Sequence, residues 1–347
     1  MKILILSDLH LDTPRGELKR FDIEDAEVAI RSLKQYTEGI DAVVIAGDIF
    51  NAVKNDSVPF HLLSMLKETL KDIPQKYTVR GNHDRARFSI LEDMLGYKAL
   101  TWKKESIGCG LSISGCDFTD IDTHREYLAT ADSDILVCHF PMSPFSTFGD
   151  SNISVNECPK GRVVIVGDTH KPDVYAQDDR CVISPGCLFP ASKTELLSGY
   201  AGSGFILDIS KEDGDMKLAV GQISLETRFG VDLSAINTKD ELVLGLETIE
   251  ARKPFPLNLR PVAYIDSSLS DITHPKIECI PVSTATDSVE LTADFSGLEG
   301  EGIDARIKRI LTTLYAGEAE SEKLLELTIE LIATDEPKAV LDSFIRQ

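Results

Sequence analysis

Eight residues of this sequence can hold a hard cation or move a proton, and each stands where an apolar run ends. Asp8 and His10 follow Met1-Lys-Ile-Leu-Ile-Leu-Ser7. Asp48 follows Val43-Val-Ile-Ala-Gly47, and Asn82 and His83 follow Tyr77-Thr-Val-Arg-Gly81. His139 closes Ile135-Leu-Val-Cys138, and Asp168 and His170 follow Val163-Val-Ile-Val-Gly167. Runs this short read as buried strands rather than helices. Glycine before Asp48 is where a backbone turns sharply or approaches a ligand. Residues two apart in an extended chain point the same way, so Asp8 with His10, and Asp168 with His170, are each expected to face one side. Carboxylate, amide and imidazole suit magnesium, manganese, iron or zinc, and the lack of thiolates among them argues against a structural zinc. Two such cations ~3.5–4 Å apart need a bridging anion, and such pairs clamp the attacking and leaving oxygens of phosphoryl transfer. A lone Asp-x-His or Gly-Asp means little. Gly81-Asn-His-Asp84 after a strand is more specific, and coincidence is a poor account of five such strand ends in one chain.

The elements between these runs must position them. Residues 22–38 read as a helix with Ala26, Ala29, Ile30 and Leu33 on one face, linking the Asp8 and Asp48 strands as a β-α-β unit. Residues 57–71 read as a second helix, capped by Ser57, with Pro59 in its first turn and Leu63, Leu66 and Leu70 as its stripe. His61 in that helix reads as a surface or packing residue. Residues 88–99 read as helix and 106–116 as strand. Asp117–Asp122 and His124 read as an acidic surface loop. Residues 141–161 form a long loop expected to rim the site, since long loops in compact domains often carry function. Strands at 180–184, 203–209 and 216–223 complete the first domain, with an Asp-Gly hairpin turn inside Lys211–Asp215. A short helix opens at Asn237–Glu241, followed by strand-like pieces at 262–265, 277–282 and 289–291. Residues 303–314, 324–332 and 337–345 carry helical stripes. No Walker-type glycine loop occurs, so any ATP dependence must come from another chain.

Asp8-Leu-His10, Gly47-Asp48, Gly81-Asn-His-Asp84, His139 and Gly167-Asp-Thr-His170 resemble the signature of the calcineurin-like metallophosphoesterases. Within that superfamily the chain is similar to the SbcD-type nuclease subunit of double-strand-break repair complexes, particularly the phage recombination version. Ser184-Pro-Gly-Cys187, Lys193-Thr-Glu195 and Gly204-Phe-Ile-Leu-Asp208 are similar to that family's segment after the last ligand motif. The resemblance covers roughly residues 1–210. It implies an α/β fold: a metallophosphoesterase sandwich of two mixed β-sheets flanked by helices, with a small α+β capping domain and C-terminal helices. The implied domains are 1–225 for the dimetal nuclease, 226–285 for the cap, 286–302 for a linker, and 303–347 for helices that bind the partner. The resemblance also implies that Asp48 bridges two divalent cations, manganese or else magnesium. Asp8, His10 and His170 would hold the first cation, and Asn82, His139 and Asp168 the second. His83, held by Asp84, would serve as the catalytic proton donor. The family usually has Gly-His-x-His where this chain has Gly167-Asp168-Thr169-His170; a carboxylate there still ligates hard cations and favours manganese or magnesium over softer ones. The implied activity is manganese-dependent DNA exonuclease and endonuclease action in repair or recombination. The implied partners are DNA and an ABC-type coiled-coil ATPase of the SbcC type, in a heterotetramer built on a homodimer. A phosphatase or phosphodiesterase acting on small molecules is the alternative.

Composition sets limits on these readings. The 347 residues carry 36 Lys plus Arg against 57 Asp plus Glu, a net charge of −21. That balance argues against tight DNA binding by the isolated chain, unless Arg80, Arg85 and Arg87 give a local basic face. Seven cysteines without a Cys-x-x-Cys fit reduced thiols in a cytoplasm. The chain enters a strand within two residues, so no signal peptide is expected. No apolar run approaches the roughly 18 residues of a spanning helix, so no membrane association is expected.

Overall fold

The apolar runs that end in the candidate residues are strands, and they fall into two sheets. The computed structural model describes residues 1–11, 23–50, 60–84, 95–146, 153–190, 193–197, 202–212, 214–228, 230–236, 238–252 and 261–282. The expected linker, the C-terminal helices, the strand at 289–291, residues 88–94, Arg85 and Arg87 lie outside them.

In chain order the elements are β1 (Lys2–Leu6), α1 (Ile23–Leu33), β2 (Ala42–Ile45), α2 (Phe60–Thr69), β3 (Gln75–Thr78), β4 (Lys98–Ala99), β5 (Glu105–Gly108), β6 (Leu111–Cys116), α3 (Ile121–Thr130), β7 (Ile135–His139), β8 (Met142–Ser143), β9 (Ile153–Ser154), β10 (Arg162–Gly167), β11 (Asp173–Gln177), β12 (Arg180–Ser184), α4 (Lys193–Leu197), β13 (Ser203–Glu212), β14 (Asp215–Ser224), β15 (Gly230–Leu233), α5 (Lys239–Arg252), β16 (Val262–Asp266) and β17 (Glu278–Val282). The first sheet runs β14-β13-β1-β2-β3-β4 and the second β11-β12-β10-β7-β6-β5. Both are mixed. β1 to β4 are parallel and β13 is antiparallel to β1. β6, β7, β10 and β12 are parallel, with β11 and β5 antiparallel at the edges.

Except for β3, Gln75-Lys-Tyr-Thr78, the runs are apolar because both faces of the sheets' central strands are covered. Ile3, Ile5, Ala42 and Val44 pack against Ile135, Val137, Val163 and Ile165 in the core between the sheets. Leu4, Leu6, Val43 and Ile45 face the other way, onto Ala26, Ala29, Ile30 and Leu33 of α1 and Leu62, Leu63 and Leu66 of α2. On the second sheet, Leu136, Cys138, Val164 and Val166 face Tyr127 and Leu128 of α3. The expected sandwich of two mixed sheets flanked by helices is the observed fold.

Four local expectations are corrected. Residues 98–99 form β4, paired with β3, rather than a helix end. Asp117–His124 is not a surface loop. Asp120 caps α3 by accepting from Thr123 N at 2.9 Å, and His124 is fully buried, its ring 4.7 Å from Phe140. Ile121, His124 and Leu128 sit at helical spacing, with neutral imidazole packing as an aromatic; the acidic residues before them hid the pattern. The stretch after His139 contains the short parallel pair β8 and β9 and a one-turn helix closed by a Ser154–Glu157 capping box. β11 and β15 were not anticipated; β11 is a partly exposed edge strand and β15 is short, so neither presents an apolar run.

A third sheet, β15-β16-β17, is wholly parallel. One face packs Ala263 and Ile265 on Leu242 and Leu246 of α5, and the other packs Val262, Tyr264 and Ile280 on Leu196 of α4. Among the described residues no helix is long and apolar enough to cross a membrane.

Arg228 joins this sheet to the first layer of helices. Its Nε donates to Asp25 Oδ1 of α1 at 3.0 Å and its Nη1 to Glu278 Oε2 of β17 at 2.7 Å. The Arg228 and Asp25 side chains are 6% and 3% exposed, so removing the guanidinium takes the cation away from a buried carboxylate. Arg228→Ala should therefore cost about 3–5 kcal/mol in urea denaturation. A loss below about 1 kcal/mol would show that solvent screens this pair as it does a surface one.

Candidate active site

All eight candidate residues lie just beyond, or at, the C-terminal ends of parallel strands, the edge where open α/β sheets bind ligands. β1, β2 and β3 bring Asp8, His10, Asp48, Asn82 and His83 from the first sheet; β7 and β10 bring His139, Asp168 and His170 from the second. Hydrogen bonds stitch the sheets here, two of them through backbone groups. His139 Nδ1 donates to the Ala46 carbonyl at 2.7 Å, and Asp168 N donates to Asp8 Oδ2 at 3.2 Å.

The pairing of Asp8 with His10 and of Asp168 with His170 does not arise from strand alternation. β1 ends at Leu6 and β10 at Gly167, and the chain then turns left-handed: φ is 51° at Asp8, 42° at His10, 50° at Asp48, 85° at Asp168 and 53° at His170. For L-residues this region costs roughly 1–2 kcal/mol each. Backbone bonds hold the turns: Asp8 N to Gly47 O and His10 N to Asp48 O, both 3.1 Å. Gly81 passes so close to Asp48 that a Cβ there would overlap the carboxylate. Asp84, expected to hold His83, directs its buried carboxylate to Ile49 N, Phe50 N and Gly81 N at 3.0, 3.1 and 2.9 Å. It braces the turn after β2 against the turn after β3.

Two donor sets result. Asp8, His10 and His170 offer ligand atoms within 4.8 Å of one another, as do Asp8, Asp48 and His139. Asn82 Oδ1, Asp48 Oδ2 and Asp168 Oδ1 lie 3.0, 3.3 and 3.6 Å from His139 Nε2. His83 donates its backbone N–H to Asp48 Oδ1 at 2.9 Å; its Nε2 is 3.9 Å from Asp48 Oδ2. Asp8, Asp48 and His139 are at most 2% exposed, whereas Asp168, His170 and His83 are 20–31% exposed and form the mouth.

Divalent cations fit this donor set. Among the described residues the buried Asp8 Oδ1 accepts no hydrogen bond of good geometry; His170 Nε2 stands 3.5 Å from it. His10 Nε2 and His170 Nε2 face each other at 3.0 Å, a contact that needs a proton or a cation between them. The electrostatics agree. Burial opposes charge on His139, but Asp48 overrides it and raises its pKa well above the usual histidine range. Burial likewise opposes charge on His170, which Asp8 raises well above that range. Asp8 and Asp48 are lowered despite burial, chiefly by His170 and His139 respectively. His10 falls to about 4 through burial and the His170 charge. Asp84 is pushed up to about 6 by burial and by Asp48.

Both imidazoles are oriented from behind. The Ala46 carbonyl fixes the His139 ring, and Glu195 Oε1 sits 2.8 Å from His170 Nδ1. Each contact leaves Nε2 facing the site, the usual outer-shell arrangement of metal-binding histidines. The sequence marked Glu195 only as part of a family-like run. A backbone carbonyl such as that of Ala46 leaves no sequence signal.

A family model described as the calcineurin-like phosphoesterase superfamily domain matches residues 1–210. UDP-2,3-diacylglucosamine hydrolase of Stenotrophomonas maltophilia (strain K279a) is 33% identical over 88 residues, covering 24% of this chain and 33% of that protein. The chain thus spans about a third of the length of the curated relatives it matches. Among solved structures, the phosphoesterase Yfce from E. coli is 17% identical, with coverage of 65% of this chain and 100% of that one and a TM-score of 0.34. A dimetal phosphatase from Danio rerio is 11% identical, with coverage of 65% and 98% and a TM-score of 0.43.

Cations must displace the protons that the carboxylates hold on His139 and His170. Metal binding near neutral pH should therefore release about one to two protons per chain, read by calorimetry in buffers of different ionisation enthalpy. Because both histidine pKa values are raised well above the usual range, apparent affinity should climb with pH from the ordinary histidine range on past neutrality. Affinity flat across that range, with no proton release, would contradict this charge balance.

Proposed function

This chain belongs to the calcineurin-like phosphoesterase superfamily, and we propose that it is a metal-dependent DNA nuclease, the phosphodiester-hydrolysing subunit of an ATPase-coupled repair or recombination complex. The observation that carries the hydrolytic reading is the convergence of all eight candidate side chains on one seam between two sheets. The nuclease reading is supported by the family-like runs Ser184–Cys187, Lys193–Glu195 and Gly204–Asp208, of the SbcD type. A small-molecule phosphodiesterase is the second reading. It is favoured by the local similarity to a UDP-2,3-diacylglucosamine hydrolase and by the net charge of −21.

In the proposed site Asp8, His10 and His170 would hold one cation and Asn82, His139 and Asp168 the other, with Asp48 serving both. When bound, two divalent cations polarise phosphoryl oxygens and lower the pKa of water. The protein's own groups supply the rest. Glu195 and the Ala46 carbonyl keep the two imidazoles aimed. Asp84 keeps the Asp48 and Asn82 turns in register. His83, partly exposed at the mouth beside Asp48, would give a proton to the leaving oxygen. Asp168 adds a hard anionic donor, which favours manganese or magnesium.

Asp48→Ala should abolish both metal binding and hydrolysis; activity within a few-fold of wild type would overturn the two-cation assignment. His83→Ala and His83→Gln should keep both cations, measured by elemental analysis, yet slow turnover by ~10²–10⁴. Loss of metal in these variants would make His83 a ligand or a fold determinant instead.

Labelled duplex DNA and a chromogenic phosphodiester, each with manganese, separate the two substrate readings. Cleavage of the dye substrate without any cleavage of DNA, even with the ABC-type ATPase present, would favour the small-molecule enzyme. Deletion after about residue 300 should leave dye hydrolysis intact and abolish both ATPase pull-down and processive DNA degradation. Retained pull-down would place the docking surface elsewhere.

A further inference from the structure

On the Nδ1 side of His170 lies a second donor set, which adds Cys187, a group the proposed hydrolysis does not use. A ring nitrogen of His170, Sγ of Cys187 and a carboxylate oxygen of Glu195 lie within 4.8 Å of one another. His170 Nδ1 is the nitrogen turned to Glu195, at 2.8 Å. Nitrogen, sulfur and oxygen together suit zinc, whereas the Asp8, Asp48 and Asn82 donors suit harder cations. Cys187 is fully buried, but Glu195 and His170 are 17% and 23% exposed, so an ion can enter past their edges.

The two donor sets compete for one ring. A neutral imidazole has one nitrogen lone pair and one N–H. With Nδ1–H donated to Glu195, the lone pair sits on Nε2, which faces Asp8 at 3.5 Å and His10 at 3.0 Å. An ion on Nδ1 requires the proton on Nε2, and that closes the Asp8 side to His170. We propose that His170, Cys187 and Glu195 form an inhibitory site for zinc or a similarly thiophilic cation, mutually exclusive with the activating cation on Asp8, His10 and His170. Zinc binding releases the Cys187 thiol proton to solvent and moves the His170 ring proton from Nδ1 to Nε2; nothing is oxidised or reduced. The inference rests on the proposed assignment of His170 to the activating cation.

The test uses the full chain, manganese and a chromogenic phosphodiester, titrated with zinc. Zinc should inhibit, and added manganese should relieve the inhibition. Cys187→Ala, and Cys187→Ser as a volume-preserving second variant, should each need roughly tenfold or more zinc for the same inhibition, the scale on which lost metal-sphere partners act. Independently of turnover, cadmium should give a thiolate-to-metal charge-transfer absorption that is larger in wild type than in either variant and shrinks as manganese is added. Equal zinc sensitivity in wild type and both variants would overturn the site, as would a cadmium spectrum that does not depend on Cys187. A Cys187-dependent band untouched by manganese would overturn the exclusivity. Absence of hydrolysis before zinc is added would count against the proposed function alone, and the cadmium spectra would still decide the site.

Discussion

Asp8 and Asp48 are carboxylates buried at the ends of two adjacent strands, and a buried anion without compensation is among the most costly groups a protein can hold. The rest of the site answers that cost. His139 and His170 come from the facing sheet and stand within 3.5 Å of the two carboxylates. Compensation must therefore be built across the seam, which fixes how the ends of the two sheets meet. Protons on the imidazoles supply it in one state and divalent cations in another; the geometry serves both because ligand atoms of both donor sets lie within 4.8 Å.

Holding that charge cluster requires backbone that does not hold itself. Five of the converging residues adopt left-handed φ, a conformation that clusters at functional sites when the surroundings over-determine it. The surroundings here are identifiable. Ile3 to Leu6 and Ala42 to Ile45 pair in strict register, so the turns that follow begin from fixed points. Asp84 then ties three backbone N–H groups together, and Ser7 Oγ and His139 Nδ1 both donate to the Ala46 carbonyl. A stiff, doubly covered strand end offsets the strain of an adjacent turn, and this is why the residues with left-handed φ follow highly apolar runs.

That coupling also explains what was readable beforehand. Four of the strand ends were legible because four or five consecutive apolar residues followed by an acid or imidazole form a simple pattern; the half-polar strand before Asn82 and His83 was marked by Gly81-Asn-His-Asp84 instead, and all eight residues converge. The reason for convergence was not legible: alternation along an extended chain was expected, and left-handed turns deliver Asp8 with His10 and Asp168 with His170. Groups that act from behind were missed for physical reasons. A carbonyl such as Ala46 has no residue-type signature. Glu195 lies on a five-residue helix, 25 positions from the histidine it touches. His124 was read by its polarity, whereas in the core it behaves as a flat, neutral ring. The edge strands β4, β11 and β15 escaped because partial exposure breaks the apolar runs by which the central strands are recognised.

The carboxylate at Asp168 bears on which phosphate ester the site suits. The family pattern has histidine at this position, and a carboxylate there makes the cation-filled site less positive by one anionic group. On the proposed assignment, that change weakens attraction for a doubly charged phosphate monoester more than for a singly charged diester, since the interaction scales with the product of the charges. Asp168 is 20% exposed, at the mouth rather than the floor, so its charge meets the incoming substrate as well as the cation. The chain's net charge of −21 acts in the same direction at longer range, where salt screens it. Both features disfavour densely charged ligands approaching unaided. On the proposed function, the arrangement would suit a diester of low local charge, or a polyanion presented by a partner that supplies the missing positive surface.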